Sequence, residues 1–188
     1  MKPRRLKLSL LVSGLGLAGF AFLAWTQSWF FFELSDGRTL EVGGDRAAGA
    51  VSALALTGLV LNAALSIAGR VFRVVLGALE SLLGATLVLV SVLALASPIT
   101  ASAPALSATT GVSGSESLIA LVASVTVTAW PSVSVASGAL LFAVGVTVVA
   151  TARQWPGSGR KYSPVRMETL AGSRVDDWDA LTSGDDPT

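Results

Sequence analysis

"VVLGALESLLGATLVLVSVLALA", Val74 to Ala96, decides how this chain must fold, because its single ionisable residue, Glu80, sits in an otherwise uncharged apolar run. An α-helix rises about 1.5 Å per residue, so roughly twenty such residues match a hydrocarbon core about 30 Å thick. Working outward, three more runs of this kind appear, at 8–29, 47–68 and 133–152. The expected fold is an all-α membrane protein with four transmembrane helices forming one domain over 1–152. Loops at 30–46 and 97–132 lie on one side, and a tail over 153–188 lies on the other.

Composition agrees: 52% of the residues are hydrophobic and 13% charged, where a soluble domain carries about a quarter charged. The chain has no Cys and no His, which removes disulfides, thiol nucleophiles, imidazole bases and the usual zinc ligands together. No paired carboxylates or metal-ligand spacing stand out either, so no enzyme activity, catalytic residue, cofactor or metal is expected. The net charge of +1 does not suggest nucleic acid as a partner.

Orientation follows from where the basic residues fall. Of 13 Lys and Arg, all but Arg38 and Arg46 lie before the first run, between the second and third, or after the fourth. The positive-inside rule then puts both termini in the cytoplasm of a multi-pass plasma-membrane protein. The basic, apolar start resembles a signal peptide, but cleavage would leave three spans and contradict the basic flank after the fourth; it is read as an uncleaved anchor. "GLGLAG", Gly14 to Gly19, has the spacing of a dinucleotide loop inside a spanning segment, so it is read as small residues that let a neighbouring helix approach, as are Gly77, Ser81, Gly84, Gly138 and Gly145.

The first external loop carries "FFELSDGRTLEV", Phe31 to Val42, with apolar residues alternating on either side of Ser35-Asp36-Gly37. A two-residue turn would mix the faces. A three-residue loop pairs Phe32 with Leu40, Phe30 with Val42 and Glu33 with Thr39, and puts Gly37 at the left-handed position. "SVTVTAW", Ser124 to Trp130, alternates Val and Thr and is the candidate third strand, making a β-hairpin or three-stranded cap. Between them, Ser97 to Ser117 is low in complexity and expected to be flexible. "LIALVAS", Leu118 to Ser124, is too short to span and is expected to rest on the bilayer or the bundle.

An ionisable group in the membrane costs on the order of 3 kcal/mol even on lenient scales and calls for a partner or a purpose. Glu80 lies about 7 Å from the centre of its span and Asn62 about 6 Å from the centre of its own, both toward the cytoplasm. A short connector makes the two helices antiparallel neighbours, so Asn62 and Glu80 form a candidate intramembrane pair. The pair reads either as a polar site for a proton or solute or as an interhelical hydrogen bond. Trp25, Trp29, Trp130 and Trp155 fall at the expected membrane borders and are read as anchors in the half-wet interface.

Several of these pieces coincide. "AWTQSW" (Ala24 to Trp29) closes the first run, "AWP" (Ala129 to Pro131) precedes the fourth, "RQWPGSGRKY" (Arg153 to Tyr162) follows it, and "DDWDALTSGDDPT" (Asp176 to Thr188) ends the chain. Together they resemble the actinobacterial tryptophan-biosynthesis-associated membrane proteins, named for their gene neighbourhood. Ser28 stands where that family more often has Pro, and Lys161 where Arg is usual. The resemblance implies a multi-pass membrane protein linked to tryptophan synthesis by association, and brings no catalytic residue with it.

The acidic end has its own pattern. Ser173 and Asp176 give a capping-box-like start, Gly184 a stop, and Val175, Trp178 and Leu181 one shared face, so a short amphipathic helix over 174–183 is expected. Such a helix is marginal alone and needs a surface to pack on. Two functions follow as expectations. One is a non-enzymatic accessory or scaffold that lies in the lipid bilayer, binds membrane or cytoplasmic proteins through cap and tail, and is compatible with a homo-oligomer. The other is a small carrier or channel component for an amino acid, with Glu80 and Asn62 in its path.

Overall fold

The computed structural model describes residues 3–152. Among these, four helices are long and apolar enough to cross a membrane: α1 (Pro3–Trp25), α3 (Ala50–Ile67), α4 (Arg70–Ala96) and α8 (Trp130–Thr151). They are joined at one end by strands β1 (Ser28–Leu34), β2 (Thr39–Gly43) and β3 (Val122–Val127), and by short helices α2 (Gly44–Ala47), α5 (Pro98–Ala101), α6 (Ala103–Thr110) and α7 (Ser115–Leu121). Trp155 and the tail residues Val175, Trp178 and Leu181, with the helix expected over 174–183, lie outside the described residues.

The spanning helices pack in the cycle α1, α3, α4, α8 and back to α1. Association between helices in lipid depends on close packing, which small residues allow. On α4 and α8 this is literal. Gly77 and Gly84, and Gly138 and Gly145, recur at the heptad interval that keeps one seam facing its partner. A Cβ at Gly145 would come within 2.6 Å of Gly77 O, and one at Gly84 within 2.7 Å of Gly138 O, so the backbones touch. Farther along the same seam the hydroxyls of Ser91 and Ser134 lie 2.8 Å apart, buried. Helices α1 and α3 meet through Gly14 against Asn62 and Ala18 against Gly58, a Cβ on Gly58 reaching 3.2 Å from that of Ala18, and Ala21 and Ala55 are fully buried.

The sheet has order β2-β1-β3, antiparallel throughout. Phe30 pairs with Val42, Phe32 with Leu40 and Glu33 with Thr39. The turn closes through Leu34 N to Arg38 O (2.8 Å) and Gly37 N to Leu34 O (2.9 Å), and Gly37 has φ +81°. That is the three-residue loop the alternation requires. Phe30, Phe32, Leu34 and Val42 turn inward to join the helix core, while Phe31 and Glu33 face out.

Several boundaries differ from the sequence expectation. The first span ends at Trp25 instead of running to 29, because the chain turns there and enters β1; the aromatic run Trp29 to Phe32 continues the hydropathy while changing the period. Helices α4 and α8 start earlier than 74 and 133, taking in Arg70, Arg73 and Trp130, and Arg73 is buried. Residues 97–117, expected to be flexible, contain α5, α6 and the start of α7. Pro98 and Pro104 occupy first-turn positions, where a missing N–H costs nothing. Leu106 is fully buried, and Gly111 ends α6 in the left-handed conformation with its N–H on Ser107 O. The segment 118–124 divides between α7, which buries Leu118, and β3, which starts at Val122 rather than 124 and ends before Trp130.

Candidate functional site

Asn62 and Glu80 meet inside the bundle. Asn62 sits on the α3 face that buries Val51, Ala55, Gly58 and Leu65, and Glu80 on the α4 face that buries Arg73, Gly77, Gly84 and Leu87. Asn62 Nδ2 donates to Glu80 Oε1 at 2.8 Å and to Gly58 O, one turn back, at 3.0 Å. Both side chains are closed off, Asn62 3% and Glu80 0% exposed. The amide lies directly over Gly14 of α1, where any Cβ would collide with it. Three helices therefore build the site: α1 supplies the gap, α3 the amide and α4 the carboxyl.

Asn62 Oδ1 and Glu80 Oε2 have no hydrogen-bond partner. The polar pair is thus half satisfied within the described residues, and buried polar groups of this kind hold helices together or serve a passing ligand. Three clefts bear on that choice. The largest, ≈ 500 Å³, lies between α1 and α8 and is lined by residues including Leu10, Gly16, Phe20 and Leu140. Others of ≈ 270 Å³ and ≈ 250 Å³ lie beside Ala47 and Ser97 and beside Leu61 and Leu79. Neither Asn62 nor Glu80 lines any of the three. Among the described residues no group of three or more His, Cys, Asp or Glu is placed to hold a metal.

At the end of the bundle away from the sheet, Lys7 Nζ donates to Ser66 O at 2.8 Å, at the C-terminal turn of α3 where carbonyls lack helical partners. The border Trp residues part company. Trp25 and Trp130 are half-buried, Trp25 with its ring 5.4 Å from that of Phe22. Trp29 is 0% exposed. Expected to anchor the membrane border, it is instead a core residue: its Nε1–H donates to Ala24 O at 2.8 Å, closing the end of α1. The ring lies across Gly44, where a Cβ would approach Nε1 to 2.6 Å. The seat that Gly14 makes for Asn62, the Trp29 cap and the Ser91 to Ser134 link were not read from the sequence. The Gly14 seat and the serine link depend on which helices are neighbours, which spacing within one helix does not reveal, and the Trp29 cap on the turn that follows α1.

Four apolar helices in a closed cycle, tied by buried polar contacts and topped by a three-stranded sheet, define a multi-pass membrane protein. The chain belongs to the family of tryptophan-associated transmembrane proteins, whose profile matches residues 7–188. No curated protein and no solved structure matches it.

Proposed function

We propose that this protein is a non-enzymatic accessory or scaffold of the plasma membrane. Both termini are cytoplasmic, the sheet lies outside, and other proteins bind the cap and the acidic tail. The observation that carries the reading is the sealing of Asn62 and Glu80: the hydrogen bond joins α3 to α4 under Gly14, and none of the three clefts reaches it. A carrier needs polar groups exposed in turn to the two sides, commonly with broken helices near the midplane. Here the polar pair serves as a bolt and the elaboration sits in the cap. The distribution of Lys and Arg supports the orientation, with 11 of 13 on the side of the termini (4 + 2 + 5). The family's description ties its members to tryptophan, and we place the protein beside that pathway as a membrane partner of its machinery rather than as one of its enzymes.

Co-purification from native membranes tests this. A full-length chain should retain a partner that a chain ending at Gly172 loses, and identical partner lists would remove the role of the tail. Uptake of labelled tryptophan into vesicles should be the same for Glu80→Leu and wild type; uptake that needs Glu80 would instead favour the carrier.

A further inference from the structure

The sheet ends on β3, and the free edge of β3 lacks the features that usually keep an edge from pairing. Among the described residues, in the order β2-β1-β3, it is bonded to β1 alone. An open edge is normally guarded by charge, proline or a covering element. On the β2 side Arg38, Glu41 and Asp45 supply charge, whereas no charged residue occurs from Ser117 to Ala152.

The bond from Thr128 N to Trp29 O (3.0 Å) fixes the phase of the ladder. In an antiparallel pair alternate residues turn both backbone groups to the same neighbour. With Phe31 opposite Thr126 and Glu33 opposite Ser124, Thr126 and Ser124 serve β1, and the amides and carbonyls of Val125 and Val127 point away from it. Val127, on the inner face opposite Phe30, is 44% exposed.

We infer that this edge pairs with the same edge of a second copy, joining two caps into one six-stranded sheet. A two-fold axis through Thr126 sets Val125 opposite Val127 of the second copy and the reverse, which satisfies the outward groups of both and stops short of the irregularity between Ser124 and Val122. Two facts choose a second copy over a foreign strand. An uncharged strand meets its own image without like-charge repulsion. In addition, antiparallel pairing of identical strands puts the dyad perpendicular to the sheet. The sheet turns Phe30, Phe32 and Leu34 toward the helix core and Phe31 and Glu33 away from it, so such a dyad keeps the core-facing side of both caps on the same side of the joined sheet, as two copies in one bilayer require. The inference deepens the reading of the cap as a binding surface, and it rests on membrane insertion rather than on the tail or on which side the cap faces.

The chain contains no Cys, so each introduced thiol is unique. In native membranes under a mild thiol oxidant, full-length Thr126→Cys should give a covalent dimer as the main product and Glu41→Cys, on β2, should stay monomeric. Adding Val125→Pro, whose amide points away from β1, should abolish the cross-link, and so should Val125→Lys if the proline variant fails to fold. A monomeric Thr126→Cys, an equal dimer yield from Glu41→Cys, or a yield that ignores the Val125 variants would overturn the inference. The cross-link should persist in the chain ending at Gly172, which separates its failure from that of the tail-dependent scaffold.

Discussion

Asn62 on α3 and Glu80 on α4 share a hydrogen bond of 2.8 Å, Nδ2 to Oε1, in a part of the bundle that neither solvent nor lipid reaches. The depth at which each falls along its helix and the two-residue connector Ala68-Gly69 make that meeting a consequence of the sequence.

The bond should behave as a coupled pair. Asn62→Leu leaves the Glu80 carboxyl without its donor, a loss of about 1–3 kcal/mol, while Asn62→Leu with Glu80→Leu should regain part of it. A double-mutant cycle by detergent unfolding should return a coupling of about 0.5–2 kcal/mol. Strictly additive losses would mean that the two residues act independently.

Gly14 should be intolerant of any side chain while Asn62 is present. Gly14→Ala sets a methyl against the amide, whereas Gly16 and Gly19 open onto space. Gly14→Ala should cost about 1–3 kcal/mol as overpacking, and markedly less beside Asn62→Ala; Gly16→Ala and Gly19→Ala should be close to neutral or slightly stabilising. Unfolding midpoints of these variants in one detergent decide the matter.

The α4 and α8 seam should be stricter still. At Gly84 a Cβ meets backbone of α8, which cannot rotate away as a side chain can. Gly84→Leu should prevent native helix pairing, read as loss of the folded species in gel filtration. Gly69→Ala, with nothing within 4 Å of its Cβ position, is the matched control.

Much of this was legible beforehand, and the failures have physical causes. The hairpin register could be read because alternation on both sides of Gly37 tolerates one loop length. The end of the first span could not, since Trp29 to Phe32 is as apolar as the helix before it, and only the change to two-residue alternation marks the strand. The segment around Leu106 was missed because Ala, Ser and Thr suit coil and buried helix alike, and because Pro98 and Pro104 read as breakers when they open helices. In the site, Asn62 and Glu80 could be matched by depth. Gly14 needed knowledge of which helix lies across from α3, and Trp29 needed the turn that brings its ring back over Ala24.

Trp29 should report cap integrity rather than membrane depth. Trp29→Phe keeps the ring and loses the donor to Ala24 O, costing about 1 kcal/mol. In a variant that keeps Trp29 as its sole tryptophan, emission should resist both aqueous and lipid-phase quenchers. Ready quenching from the lipid would return Trp29 to the membrane border.

The turn should carry a mild acid sensitivity. Asp36 Oδ1 accepts the N–H of Arg38 at 3.0 Å and Oδ2 accepts Arg38 Nε at 2.6 Å. The backbone bond first, then the side-chain bond, holds the carboxyl below its ordinary value. Because the folded value is the lower one, the contribution is present above the ordinary Asp range and is lost as pH falls through the depressed value. Asp36 is exposed, so the effect is small and is best read as the shift of the Arg38 amide resonance on titration. That shift should vanish in Asp36→Asn.

A four-span bundle with the sheet on one side and the α3 to α4 connector on the other should show in thiol labelling of the cysteine-free chain. With a membrane-impermeant maleimide on intact cells, Thr39→Cys should label from outside and Gly69→Cys only after permeabilisation. Labelling of both positions from the same side would rule out a bundle that crosses the membrane four times.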